Sequence, residues 1–508
     1  MGILLPTMKN FLIIVEAILR LTGASCIEDL DEETLDRFDR LEDFPIEINY
    51  CSKQALVESG LMSSYQAASL IEYRERTGGI FSVTELGLID GFDQETARAL
   101  SNYVSFDSVL SPGQRPASKG RHKLSAKGSD IIKEQGRMSG SCKYSYEGRR
   151  VSLNIGAGVS EKPDGSVCLA YSGRGALRLL VLGDYNLRYG QGTALWSGFS
   201  LSGFPTVDAI YRKPAGICRS CSSSLGDKYR GAAAGFELGR FSADLFYAYG
   251  CLAGGNVSFN GKSFSVDVTA YCSESLWTGS LSARGTVRKV DLFGEITHRT
   301  DGNGTSVLAG AVWNAGYKIK AGLRAYIAGN SRQAAFGIQF RDQMVTVDYN
   351  EKYLKCIYNG IVNMMESDKG ALQLRMKASA RYKDKWKYEL RLDARAQLNG
   401  FELNGRYDIL WNVSRAWLWY IEGGYKGESF STFLRAGIFL IDNWDDRIYV
   451  YERDAPDCFN VPAYYGRGWN ASWVVKWKGL GLRAGLVRYP WSAKTPKTEI
   501  KVSYVVKW

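Results

Sequence analysis

Between Leu372 and Leu398 the side chains alternate so strictly that one kind of secondary structure fits. Leu372, Leu374, Met376, Ala378, Ala380 and Tyr382 take one set of positions, and Gln373, Arg375, Lys377, Ser379 and Arg381 the other. After a turn at Lys383-Asp384 the pattern resumes, with Trp386, Tyr388, Leu390, Leu392, Ala394, Ala396 and Leu398 against Lys387, Glu389, Arg391, Asp393, Arg395 and Gln397. A period of two defines a strand with one apolar and one polar face. Strands of soluble sandwiches average about 5–6 residues, and these are longer. A strand that crosses a bilayer at a tilt needs about 9–11 residues with its oily face outward. The stretch therefore predicts a transmembrane β-barrel.

The chain's end carries the same signal. Ile500, Val502, Tyr504, Val506 and Trp508 alternate with Lys501, Ser503, Val505 and Lys507. A last strand with an aromatic final residue resembles the C-terminal signal of bacterial outer-membrane barrels, carried here by Tyr504, Val506 and Trp508. That resemblance implies contact with the barrel-assembly machinery, outer-membrane lipid and lipopolysaccharide. The mean hydropathy of −0.21 agrees, because half of each barrel strand is polar. No stretch approaches the roughly 18 consecutive apolar residues of a helical span. At the strand-plus-turn length seen here, residues 121–508 make an antiparallel barrel of about 20–24 strands, wide enough for a lumen.

The N-terminus reads as a secretory signal over residues 1–25. Lys9 precedes the apolar run from Phe11 to Val15, and the stretch closes on Gly23-Ala-Ser-Cys26; Met8 is an alternative start, and Glu16 and Arg20 interrupt the pattern. Cys26 resembles the cysteine of a lipoprotein box, but Gly23 stands where leucine is usual, which favours simple cleavage near Ser25. Cys218 and Cys221 form a lone CxxC, and the chain has only His122 and His298. A metal site needs more ligands than that, so no metal and no cofactor are expected. A Ser/His/Asp arrangement and a phosphate-cradling loop are also missing, which argues against an enzyme.

Charge divides the chain. Residues 27–106 hold 17 acidic and 6 basic side chains, a net −11. The whole chain is +11, and residues 1–26 carry +1, which leaves +21 for residues 107–508. The acidic part reads as helices: one from Asn49 as cap to Glu58, one from Ser64 to Arg76 ended by Gly78-Gly79, one opened by a box at Ser82 and Glu85, and one capped by Asp93. Leu30, Phe38, Leu41 and Phe44 suit a further short helix. Ser111 to Ala117, rich in proline and glycine, marks a linker over residues 107–120.

The segments PIEIN (Pro45–Asn49), IEYRERTGGIFSVTEL (Ile71–Leu86) and IDGF (Ile89–Phe92) resemble the tandem helix-hairpin-helix of ComEA-type competence proteins. The resemblance implies a small all-α domain whose hairpins, here at Gly60 and Gly91, hold nucleic-acid phosphates. Both hairpins lack their second glycine, with Met62 and Asp93 in its place. The net −11 also opposes DNA, whose binding rests on phosphate neutralisation. Further on, GDYNLRYGQGTALWSGF (Gly183–Phe199) and RIYVYERDAPDCFNVPAYYGRG (Arg447–Gly468) resemble outer-membrane proteins of Bacteroidetes-type bacteria, in which such a helical module precedes a large barrel. That likeness implies a periplasmic helical domain and a barrel in the outer membrane.

The polar candidates are few. Asp184, Arg188 and Gln191 cluster around Gly190-Gln-Gly192, which reads either as a loop folded into the lumen or, preferably, as a tight turn. Glu452-Arg453-Asp454 with Asp457 suits a solvated outer loop better than a carboxylate site. Arg375, Lys377, Arg391 and Arg395 line either an anion-attracting pore or a closed interior paired with Glu389 and Asp393. Three functions follow: transport with the helical domain docking a periplasmic partner, DNA uptake, or a structural role in the envelope. The last predicts a filled lumen.

Overall fold

The computed structural model describes residues 11–106 and 120–508, apart from 31, 44, 52, 133–136, 149, 160–163, 174, 199–202, 221–227, 262, 301, 303, 317–318, 367–369, 428, 457 and 493. The linker expected over residues 107–120 falls almost wholly outside the described residues, as do residues 1–10, Cys221 and Asp457.

From Arg121 to Lys507 the chain forms antiparallel hairpins that close into a ring. The last strand, Lys497–Lys507, pairs with the first, Arg121–Ile132, from Thr498↔Ile132 to Lys507↔Lys123. The ring contains 25 strand segments. Two of them, Gly216–Arg219 and Tyr229–Leu238, pair with successive halves of one neighbour, Leu177–Arg188. They share one place, so the barrel has 24 strands, at the upper bound of the expected range. Closure removes the unpaired strand edges that a bilayer does not tolerate.

Burial in this barrel is inverted relative to a protein in water. On the hairpin from Leu372 to Leu398, Leu374, Met376, Tyr382 and Leu392 are exposed, whereas Arg375, Arg391, Asp393 and Gln397 are buried. Around the ring Leu245, Val257, Leu281, Ile296 and Leu323 face out, while Asp244, Asn256, Ser282, Glu295 and Arg324 are buried. Exposed Trp277, Trp386, Trp411 and Trp477 lie at or next to strand ends. An apolar exterior band with aromatic ends faces lipid.

The long connections define the barrel's polarity. Strand direction alternates, so both barrel termini lie at one end, and connections 189–215 and 442–465 both leave from the other. Outer-membrane barrels keep short turns on the periplasmic side and long loops outside. The termini therefore mark the periplasmic end.

Among the described residues, six α-helices lie ahead of the barrel: α1 (Phe11–Thr22), α2 (Glu32–Asp43), α3 (Lys53–Glu58), α4 (Ser64–Thr77), α5 (Val83–Leu86) and α6 (Gln94–Leu100). Ser63 caps α4 with a reciprocal Gln66 contact, and Gly78 ends it at φ +84°. Ser82 and Asp93 cap α5 and α6 through the amides of Glu85 and Thr96. Asn49 does not cap a helix. Its side chain clamps Ile80 instead, accepting from the amide at 2.8 Å and donating to the carbonyl at 2.9 Å. A parallel bridge between Ile46–Glu47 and Val104–Ser105 brings the ends of α2–α6 together. Leu56, Met62, Leu70, Ile80, Leu86 and Leu100 fill a core of their own, with Phe38 edge-on to Tyr103 at 5.0 Å.

Trp508 completes the closure: its amide and carbonyl exchange hydrogen bonds with His122 at 3.0 and 2.9 Å, and the rings stack at 5.2 Å. Deleting Val506–Trp508 removes those bonds, each worth a net of about 0.5–1.5 kcal/mol, together with the pairings of Val506 and Lys507. The expected result is less heat-modifiable, membrane-fractionated protein on gel electrophoresis than the full chain yields.

Candidate functional site: an occupied lumen

The helical segment does not sit below the barrel. It packs against the inward face of the strands, contrary to the separate periplasmic domain that its sequence suggested. Glu28 shows this best. Its carboxylate accepts from Arg406 and from the Tyr451 amide at 3.0 Å, and it lies 3.6 Å from Arg391. Arg391 and Arg406 belong to adjacent barrel strands and are buried on the lumen side. Arg375 donates to the Ser25 carbonyl at 3.1 Å. At the periplasmic end, Lys53 donates to the carbonyl of Gly261, in a turn far around the ring, at 3.0 Å. The acidic module thus meets the basic wall, which accounts for the opposite charges of the two parts.

Electrostatics favour this docking. Burial alone would raise the Glu28 pKa, but the Arg406 and Arg391 guanidiniums and the Tyr451 amide hold it well below its ordinary value of 4.5. Asp29 is also buried, and Lys377 with the Ser25 hydroxyl brings its pKa below the usual range. The Cys26 thiol is pushed up to about 12 by burial and by Asp29, which disfavours its thiolate form.

Both long outer connections fold inward. In the first, Gly190 and Gly192 adopt φ of +55° and +78°, a conformation that glycine takes without strain. This turn aims the amides of Gln191, Thr193 and Ala194 at the Glu295 carboxylate, at 2.7, 3.1 and 3.3 Å. A Cβ on Gly190 would lie 2.7 Å from that carboxyl carbon. The motif is therefore a backbone nest filled by a wall carboxylate. Farther along, Val207 and Ile210 pack on Phe293, Leu308 and Val312. The second connection, expected as a solvated loop, is also inside. Glu452 and Asp454 are buried; Glu452 pairs with Arg483, Asp454 with Lys501 at 2.8 Å, and Arg453 with Glu422 at 2.7 Å and with Glu402.

Asp184, Arg188 and Gln191 do not converge. Asp184 pairs with Arg230 at 2.6 Å and Lys228 at 3.3 Å, Arg188 donates to the Ser197 carbonyl at 3.3 Å, and Gln191 donates to the Arg212 carbonyl at 3.0 Å. Arg375 and Arg391 hold the helical segment, Lys377 faces Asp29, and Arg395 is half-buried on the lumen face near Asp393. Gly60 and Gly91 both have positive φ. The guanidinium of Arg37 crowds Gly60, 2.8 Å from where a Cβ would stand. Beside Gly91, the Asp93 carboxylate caps α6 and pairs with Arg20 at 3.3 Å. Arg20 belongs to α1, within the expected signal, and α1 packs on α6. The sequence offered no sign of Glu28, the residue that ties the two parts together, beyond its place in an acidic run.

One recess of about 730 Å³ remains between the helical segment, the second connection and the hairpin turning at Asp384. Cys26, Glu28 and Asp29 line it from the helical segment, and Lys377, Lys387 and Arg447 are among its cations. That hairpin turn lies at the end opposite the barrel termini, which places the recess toward the outside. Among the described residues no group of His, Cys, Asp and Glu has metal-binding geometry.

No protein-family model matches this sequence, and no curated protein matches it. Among solved structures the chain is similar to OpdQ of Pseudomonas aeruginosa, at 10% identity over 77% of this chain and 99% of that one, with a TM-score of 0.33. It is also similar to the translocation pore of the P pilus usher PapC, at 10% identity over 76% of this chain and 99% of that one, with a TM-score of 0.40. The molecule's own geometry defines its class. A closed ring of 24 strands with a lipid-facing band is an outer-membrane β-barrel, here with an occupied lumen.

Glu295→Ala would leave three buried amides unpaired, at about 1–3 kcal/mol each. Connection 189–215 should then become sensitive to external protease in intact membranes while the barrel stays heat-modifiable. Glu28→Gln keeps an acceptor oxygen but removes the charge that Arg406 and Arg391 face, and less denaturant should expose residues 27–106 to protease. Because the docked Glu28 pKa is depressed, its contribution is complete above its ordinary value of 4.5 and is lost as pH falls through the docked value. Wild-type protection should therefore hold at neutral pH and fade only in acid.

Proposed function

We propose that this protein is a non-enzymatic outer-membrane transporter whose helical domain is a plug. The observation that carries the reading is the contrast between the plug's inside and its attachment. Its apolar core is drawn from its own residues, with Tyr451 and Phe459 of the second connection packed on it, while its hold on the wall includes ion pairs and hydrogen bonds such as those of Glu28 and Lys53. Polar contacts exchange with water at small net cost, so a folded unit held this way can leave and return. A filler with a purely structural role has no need of a separate core.

The plug is also placed to receive a periplasmic partner. Phe81 and Leu88 are 53% and 75% exposed. Phe81 follows Ile80, which Asn49 clamps close to Lys53 and the periplasmic turn at Gly261. Exposed aromatic and aliphatic side chains at the open end of a plug suit a protein that pulls on it. Residues 1–25 would direct export, and the Glu28 contact does not depend on them.

Planar-bilayer recording tests the reading. The full chain should be nearly silent, and a variant lacking residues 27–106 should open a wide, steady conductance in the barrel that remains. Glu28→Gln should flicker between these levels. Equal conductance from the full chain and the deletion would sink the plug assignment.

A further inference from the structure

The hairpin that borders the outer recess breaks a rule of sheet pairing three times. Lys377 lies opposite Arg391, Arg381 opposite Lys387, and Lys383 opposite Lys385. Like charges directly across a strand pair are destabilising. All six side chains line the same recess, and Arg447 from the inward connection adds a seventh cation. Five carboxylates also line it: Glu28, Asp29, Asp384, Glu389 and Asp445. Two of them are already engaged, Glu28 by Arg406 and Asp29 by the Cys26 amide at 3.2 Å. At the floor, Nη1 of the buried Arg391 makes no hydrogen bond, and the nearest Glu28 oxygen is 3.6 Å away.

We propose that this recess binds a hydrophilic solute carrying a phosphate monoester. Seven cations against five carboxylates leave a lining of +2. A phosphate monoester carries about −1.5 to −2 at pH 7 and has three acceptor oxygens for lysine and arginine donors. The volume of about 730 Å³ equals that of roughly two dozen waters at about 30 Å³ each, which leaves room for a sugar-sized body beside the phosphate. The opening faces outward, on the side from which a transporter takes its cargo. The proposal rests on the plug reading for its purpose: an anion on Arg391 competes with Glu28, so occupancy weakens the tie that holds the plug. Binding itself does not require the plug to move.

Calorimetric titration of the full-length protein in detergent tests this, with glucose 6-phosphate, glucose, inorganic phosphate and lipopolysaccharide micelles as probes. Glucose 6-phosphate should bind saturably and glucose should not. The affinity should fall at least about tenfold in a Lys383→Gln, Lys385→Gln, Lys387→Gln variant and on raising salt. Lys478→Gln, at the periplasmic end, should leave it unchanged. Heat-modifiability confirms that each variant is folded. Absence of saturable binding up to about 10 mM, or equal binding by the triple variant, would overturn the proposal. Lipopolysaccharide binding that the triple variant loses, with none of glucose 6-phosphate, would assign the recess to lipid phosphates and overturn the soluble cargo. Recording from the plug deletion remains separate: an open deletion pore with no phosphate binding refutes this inference and leaves the gate standing.

Discussion

A guanidinium buried without a carboxylate is among the least tolerable features of a fold, and this barrel places arginines on its inner face all along the second half of the ring. Arg375, Arg391, Arg406, Arg435 and Arg483 are all buried there. In an open pore, water would solvate them. With the lumen occupied, protein must do so. The wall provides some partners, Asp408 for Arg391, Asp393 for Arg406 and Glu422 for Arg435. Others arrive from elsewhere in the chain: Glu452 from the second connection and Glu28 from the helical segment. The second connection and the helical segment are thus positioned in part by the wall charges that they neutralise.

Width explains why insertion is needed at all. Side chains of an eight-stranded barrel fill its interior, whereas barrels of 16 strands or more leave a channel unless something plugs it. A ring of 24 strands belongs to the second kind. Two inward connections seal part of the space, each by a different device. The first uses the Gly190-Gln-Gly192 nest on Glu295, followed by an apolar foot at Val207 and Ile210. The second relies on a chain of ion pairs through Glu452, Arg453 and Asp454. The helical domain takes further space, and the recess at Lys377 lies where it and the second connection meet the wall.

The barrel was legible because a bilayer imposes period two on every strand, and that rule is local. Leu374 and Met376 outward, Arg375 inward, can be read from neighbouring letters. Caps at Ser82 and Asp93 are equally local. What the letters do not encode is which distant surfaces face each other. The helical segment has the same pattern whether it hangs below a barrel or fills one, because a small domain buries the same apolar stripe in either place. Glu452 to Asp454 looks like solvent-facing loop until Arg483, Glu422 and Lys501 are brought around it by closure of the ring. Asn49 departs from its capping role for a related reason: a good capping residue is also within reach of Ile80, 31 residues on, and the tertiary contact wins.

The charge division was plain in the sequence, yet its sign has meaning only with the geometry. A net −11 on the helical module unfits its hairpins for a phosphate backbone. The same acidity fits the module to a wall whose surplus is positive. At each hairpin the anion position is settled within the chain: Arg37 crowds Gly60, and Asp93 supplies its own carboxylate beside Gly91. The helical segment thus carries its negative charge itself, and the basic wall of the barrel is what that charge meets. Likeness in the hairpin motif conveys how the chain turns. The partner it turns toward is decided by the charges that surround it.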